Sequence, residues 1–389
     1  MYLSSLALKD FRSYEELSLN FDPGVTVFIG SNGFGKTNII EAIGYLTTLS
    51  SHRVSTDAPL VRLGTDSAYL KGVVESFGRS TTIELEINPS RANRGRINQN
   101  AQRSTREIIG HVRSVLFAPE DLALVKGDPN ERRKFLDILL VLRNPRYAST
   151  LSDYERVLKQ RNALLKSAAG MRRVDVSALN TLEVWDQQLV AIGSELILAR
   201  MQLVSALAEP VARNYKHLAE GHEISLAYQS TIWQNPQNPQ NPQNPQNSEA
   251  VELAAVAAGF RIALDAVRKR EFERGITLAG PHRDDLLLSL RTHPLKGYAS
   301  QGESWSYALA LKLASYDLLR SDGIEPILIL DDVFSELDTT RRDRLSVLIS
   351  KNEQILITAA VPEDLPVELN GRRVLISRDG DSSSAGGLL

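Results

Sequence analysis

An α/β fold of mixed β layers with an inserted α-helical arm is what this chain of 389 residues predicts, and three stretches carry the prediction. The first is Gly30-Ser31-Asn32-Gly33-Phe34-Gly35-Lys36-Thr37, which fits the pattern G-x-x-x-x-G-K-[ST] at every fixed position. The second is Pro326-Ile327-Leu328-Ile329-Leu330-Asp331-Asp332, an apolar strand that ends in two acids. The third lies between them: Leu182, Trp185, Leu189, Ile192, Leu196, Ala199, Leu203 and Ala206 recur at alternating spacings of three and four, a helical seam sustained for more than three heptads.

The N-terminal region has period two. Leu6 and Leu8, then Leu17-Leu19-Phe21, then Ile83-Leu85-Ile87 alternate with polar neighbours, as strands with one buried face do. Asp22-Pro23-Gly24 supplies a turn, and Val25-Thr26-Val27-Phe28-Ile29 reads as the buried strand that delivers the glycine-rich loop. Asn38-Ile39-Ile40-Glu41-Ala42-Ile43 continues the helix behind it. A strand running through such a loop into a helix aims backbone N–H groups and the positive helix end at one point, a cradle for phosphate oxygens. Gly30 to Asn38 are the expected nucleotide contacts, with Lys36 reaching the β/γ-phosphates and the Thr37 hydroxyl on Mg²⁺.

Between about 88 and 113, Arg91, Arg94, Arg96, Arg103, Arg106 and Arg113 face one acid, Glu107. The first five are candidate contacts to a nucleic-acid backbone; the competing reading is a solvated hairpin. Beyond about 130 the period is helical. Expected partners of the long seam are the helix of Tyr154, Leu158 and Leu165 and the one carrying Leu253, Val256, Phe260, Leu264 and Val267. Lys159, Arg161, Arg268, Lys269 and Arg270 are expected on polar faces. Residues 234–247 repeat Gln-Asn-Pro, which excludes a helix or a central strand and implies an exposed loop without chemistry. The expected division is 1–128 and 275–389 for the two parts of a nucleotide-binding head, and 129–274 for the arm.

At the second stretch, Asp331 at a strand end is placed to hold the Mg²⁺ that Thr37 contacts, and Asp332 to position or deprotonate an attacking water. Ser300-Gln301-Gly302-Glu303 opens the helix that follows, so Ser300 and Gly302 bring a second anion site. The net charge of −2 decides nothing, whereas the absence of cysteine excludes disulfides and thiolate metal sites and fits a reducing compartment. No uninterrupted apolar run reaches the roughly 18–20 residues of a membrane span, and no basic-then-apolar leader opens the chain. A cytoplasmic protein with no membrane partner is expected.

A serine–glycine signature before the acidic strand, and Ser335-Glu336-Leu337-Asp338 after it, resemble the ABC-type ATPases, in which one subunit's signature closes on the γ-phosphate held by the other's loop. Lys36 and Asp331 are 295 positions apart, which matches a head split by a helical insert and resembles the SMC-like branch. Within it the chain is similar to the RecF family nearly end to end. The shared stretches are Leu8–Tyr14, Gly30–Asn38, Ser51-His52-Arg53, Phe117–Leu122 with Lys126-Gly127, Arg132–Asp137, Gly280-Pro281-His282-Arg283-Asp284-Asp285, Ser300–Glu303 and Leu330–Asp338. The resemblance implies ATP as cofactor, ATP-dependent homodimerisation with slow hydrolysis, binding of single-stranded and gapped DNA, and action with recombination mediator proteins in loading a recombinase. It also puts Arg12 near the nucleotide, with a surface salt bridge as the rival reading.

Departures are Glu303 where relatives carry Gln, Phe34 at a position usually polar or small, and Glu120 where a sensor of Mg²⁺ or γ-phosphate would stand. Thr358-Ala359-Ala360 follows the next strand without a switch histidine. Two other functions remain: the motor subunit of a membrane transporter, and an ATPase-nuclease, for which a carboxylate-rich domain is missing.

Overall fold

The computed structural model describes residues 1–169, 176–219, 223–233, 251–369 and 371–388; the Gln-Asn-Pro run lies outside the described residues. Two compact units emerge. One comprises Met1–Val125, Glu209–His222 and Ala299–Leu389, the other Lys126–Ala208 and Glu223–Tyr298.

The first unit holds two six-stranded sheets. In one, strands β1 (Tyr2–Phe11), β2 (Tyr14–Asn20), β4 (Ala68–Ser76), β5 (Arg79–Ile87), β6 (Arg94–Ile97) and β7 (Asn100–Ala101) run antiparallel in the order β2-β1-β4-β5-β6-β7. The period-two residues Leu6, Leu8, Leu17, Leu19, Ile83, Leu85 and Ile87 are all buried on its inner face. In the other, β3 (Gly24–Ile29), β8 (Ser114–Phe117), β12 (Ile327–Asp331), β13 (Gln354–Ala359) and β14 (Arg372–Asp379) are parallel, and β15 (Ser382–Leu388) turns back antiparallel; the order is β15-β14-β3-β13-β12-β8. Every residue of β12 and β13 is buried, as continuous apolar runs in a sheet covered on both faces must be. Helix α1 (Lys36–Thr48) buries Ile39, Ile40, Ile43 and Leu46 in a core shared with both sheets.

In the second unit α3 (Pro129–Arg143), α4 (Arg146–Ala168), most of α5 (Val176–Leu218) and α6 (Leu253–Arg274) follow the short α2 (Ala123–Lys126) at the boundary. The seam is real: Leu182, Leu189, Leu196 and Leu203 are fully buried or nearly so. Its partners are the expected ones, because a Cβ on Gly193 would lie 2.6 Å from Phe260 of α6 and 2.9 Å from Tyr154 of α4. By length and apolar composition residues 179–218 could cross a membrane, with a mean hydropathy of 1.5 in the most apolar window, but half of that window is buried inside the molecule.

Three expectations need correction. The second unit is not purely helical: β9 (Ile224–Gln229), β10 (Asp285–Leu290) and β11 (His293–Pro294) form an antiparallel sheet in the order β11-β10-β9. Because β10 pairs along its whole length with β9, residues 275–298 belong with the helices and not with the nucleotide-binding part. Residues 209–222 do the reverse. Arg213 and Asn214 both donate to Asp317, and the Tyr215 ring lies 5.9 Å from Tyr307 on α7 (Gln301–Ser321). Finally, Arg161 is not on a polar face. It is wholly buried, donating to Asp186 at 2.7 Å, Glu271 at 2.7 Å and Thr277 at 2.9 Å. A charge so enclosed holds α4, α5 and α6 in one register, because removing either partner strands the other in the core.

The Gly280–Asp285 turn is similarly enclosed. Asp284 accepts from the Tyr228 and Ser230 hydroxyls and from both N–H and hydroxyl of Thr231. His282 shares a 2.7 Å hydrogen bond with Tyr154, and burial pushes it down to about 4. An unfolded histidine takes up its proton near pH 6.5, so the folded form is favoured above that pH and loses about 3 kcal/mol as pH falls through 4. Urea unfolding of His282→Gln should therefore show a flatter decline between pH 6.5 and 4 than the parent. An identical slope in the two proteins would exclude this origin.

Candidate functional site

The glycine-rich loop is shaped by its neighbours. A Cβ on Gly30 would stand 2.4 Å from the Ile376 carbonyl oxygen, so only glycine lets β14 pass this close. Gly33 and Gly35 take positive φ, 84° and 106°, turning the chain from β3 into α1. Arg378 donates to Gly33 O at 3.0 Å, Tyr14 to Gly35 O at 3.2 Å, and Ser13 meets Asn38 and Ser383. Phe34 packs partly buried against the core, which explains its tolerance at a loop position.

Lys36 is buried in the loop it serves. Its Nζ donates to Gly30 O at 2.5 Å, Ser31 O at 3.2 Å and Asn32 Oδ1 at 3.4 Å. Burial pushes its pKa down while Asp332 and Asp331 pull it back. The loop thus concentrates an ammonium that, among the described residues, is held directly by neutral oxygens alone.

The register of the parallel sheet brings the acids to the same edge. Asp331 ends β12 opposite Thr358 of β13, which in turn lies opposite Phe28 of β3. Thr37 Oγ1 donates to Asp331 Oδ1 at 3.1 Å, and Thr358 Oγ1 donates to the same oxygen at 2.6 Å. Burial raises the Asp331 carboxyl, the two hydroxyls lower it, and Glu120 and Asp332 raise it further. A buried carboxylate crowded by acids is one that a cation would stabilise. The donors fit Mg²⁺: hard oxygens from Thr37 and Asp331, the few protein ligands that Mg²⁺ takes beside phosphate and water. Among the described residues no group of three or more His, Cys, Asp or Glu could hold a metal unaided. Asp332 has φ 52° and donates its N–H to Thr358 Oγ1 at 2.9 Å, a left-handed turn directly after the strand.

Arg12 reaches α1, the helix that the loop opens. Its Nε and Nη2 donate to buried Glu41 at 2.8 and 2.6 Å, and Ser51 joins the same carboxylate at 2.5 Å. Arg53 reaches Asn38 at 3.3 Å. The Ser51-His52-Arg53 stretch therefore folds back on α1, and Arg12 is tied by a largely buried ion pair to the helix that follows the loop.

Ser300 caps α7 in a capping box: its hydroxyl accepts from Glu303 N–H at 3.3 Å, and Glu303 accepts from Ser300 N–H at 2.8 Å. Glutamate here completes a cap. Gly302 lies under the Arg341 guanidinium. The five arginines do not form one bare patch. Arg94 and Arg96 lie on β6, between β5 and the two-residue edge strand β7, Arg91 and Arg94 both approach Glu86, at 3.2 and 3.9 Å, and Arg103 and Arg106 are exposed in the segment after β7.

Thr358 was hard to see beforehand, whereas Glu120 already stood out at the position of a sensor. Thr358 is marked only by register, one strand from Asp331. Glu120 is placed by its neighbour Asp121, which caps Ala118 and pairs with Lys312 at 2.7 Å.

The model of the RecF/RecN/SMC N terminal domain matches residues 2–370. The DNA replication and repair protein RecF of Streptomyces avermitilis is 53% identical over 97% of this chain and 98% of its own. The chain belongs to the RecF family of DNA replication and repair proteins. The RecF of Renibacterium salmoninarum is 49% identical over 98% of this chain and 99% of its own. Among solved structures, the recombination mediator protein RecF with ATP, in the RecFOR pathway, aligns with a TM-score of 0.86 at 26% identity, covering 99% of this chain and 98% of that one. An SMC head bound to the C-winged helix domain of ScpA shares the fold, at a TM-score of 0.56 and 16% identity over 99% and 97% of the two chains. The ATPase-head fold of the family is thus the fold of this chain.

Proposed function

We propose that this RecF-family chain binds ATP and Mg²⁺ at the loop and the paired acids, dimerises through that nucleotide, and uses the closed dimer to engage single-stranded or gapped DNA. The observation that carries the reading is the meeting of Thr37 with Asp331 beside a buried, weakly compensated Lys36. Lys36 would exchange its carbonyl partners for β/γ-phosphate oxygens, and Gly30 to Asn38 would supply backbone donors and close packing. Thr37 and Asp331 would hold Mg²⁺, which when bound neutralises charge developing on the phosphates. Thr358 orients the Asp331 carboxylate. Asp332 would orient and deprotonate the attacking water, making the protein a weak ATPase.

Ser300 and Gly302 would complete the site of a second copy, so each dimer holds two composite sites. The exposed arginines Arg96, Arg103 and Arg106, with Arg91 and Arg94 beside Glu86, would lie along the phosphate backbone. The solved relative is described as a recombination mediator protein of the RecFOR pathway, which supports partnership with mediator proteins here. A cytoplasmic location without a membrane partner goes with that role.

One experiment tests the reading. Light scattering and binding to single-stranded, duplex and gapped oligonucleotides are followed with and without ATP across a salt series. The parent should dimerise with ATP and bind gapped or single-stranded DNA with a steep salt slope; Ser300→Arg should lose both ATP effects. Replacing Arg94, Arg96 and Arg103 by Gln should flatten the log–log slope by about 2–3. An ATP-dependent dimer of Ser300→Arg would refute the composite site, and an unchanged slope would remove the arginines from the DNA surface.

A further inference from the structure

Gly302 is a glycine for a reason its surroundings supply. A Cβ there would stand 2.9, 3.0 and 3.1 Å from Nη2, Nη1 and Cζ of Arg341. The guanidinium therefore lies against the first turn of α7, where its Nε donates to the buried Ser306 hydroxyl at 3.0 Å. Its charge is matched within the chain by Asp338, the N-cap of α8 (Thr339–Ile349). Asp338 accepts from the Arg341 N–H at 2.9 Å, and that bond together with the Arg341 charge holds its carboxyl below the usual carboxylate range.

This is an awkward place for a cation. The start of a helix carries partial positive charge, so the backbone dipole of α7 opposes Arg341 there, and its counter-ion Asp338 is half exposed to water. An anion arriving at Ser300 and Gly302 would relieve both. The planar fork of an arginine suits phosphate oxygens, and the missing Cβ of Gly302 leaves the fork at the surface of the helix turn where such an anion would sit.

Resting on the composite-site reading above, we propose that Arg341 is a phosphate-binding residue of that site. On closure of two copies, its guanidinium gives up Asp338 of its own chain and takes γ-phosphate oxygens of the nucleotide held on the other copy's loop. Ser300, Gly302 and Arg341 then read one anion, and Asp338 is the internal counter-ion that occupies Arg341 until the anion arrives. The loop Ser335–Asp338 and the signature are thereby coupled through a single side chain.

The proposal predicts opposite signs for the two halves of one ion pair. Arg341→Gln removes the phosphate ligand. Asp338→Asn keeps the helix cap, since asparagine caps as well as aspartate, but releases Arg341. The ATP concentration giving half-maximal dimer by light scattering should rise roughly ten- to a hundredfold for Arg341→Gln, the loss of a charge-assisted bond, and fall for Asp338→Asn. Arg341→Lys, with charge but no fork, should lie between Arg341→Gln and the parent. A purely structural tie would be broken equally by either change, so shifts of the same sign, or none in either, overturn the proposal. A parent protein that stays monomeric at every ATP concentration overturns the composite site itself, which is a separate result.

Discussion

Lys36→Met is expected to abolish ATP binding while leaving the fold in place. Lys36 is 5% exposed and burial already disfavours its charge, so an apolar side chain of similar length costs the nucleotide-free protein little. What is lost is the ammonium bonded to the Gly30 and Ser31 carbonyls, and with it the charge-assisted bonds to phosphate. In a thermal melt, ATP at about 100 times its dissociation constant should stabilise the parent by about 2.7 kcal/mol and the variant not at all. A variant melting at the parent temperature without ATP, yet still raised by it, would place the nucleotide elsewhere.

Asp332→Asn should produce the opposite state, a dimer that forms on ATP and does not reopen. Asp331, not Asp332, bonds Thr37, so binding should survive. The half-buried Asp332 would supply the proton acceptor, and its loss should slow turnover about 10²–10⁴-fold. Phosphate release and light scattering on the same sample decide it: full turnover in Asp332→Asn would remove this residue from the chemistry.

The nucleotide-binding half was legible because its chemistry is local. A strand, three glycines and Lys36-Thr37 are contiguous, and Asp331 announces itself at the end of an apolar run. The seam of α5 was equally plain, since leucines every seventh residue have one structural use. What escaped depended on contacts between distant segments. Arg161 looks like any solvated helix arginine until Asp186 and Glu271 are seen around it. β9 and β10 are separated in sequence by α6, and nothing in six-residue stretches states that they pair. Thr358 is an ordinary strand threonine whose role follows only from register with Asp331.

The loop's dependence on β14 bears on when the protein becomes competent. Strand β3 has both its neighbours, β13 and β14, in residues 354–379, and the contacts that seat Gly30 and Gly33 come from Ile376 and Arg378. During synthesis the phosphate loop leaves the ribosome more than 300 residues ahead of the strands that flank β3, and has no finished sheet to sit in until residues 354–379 have followed. The seating of the loop is thereby tied to residues 354–379, and a chain truncated before them is expected not to capture nucleotide even with Gly30–Thr37 intact.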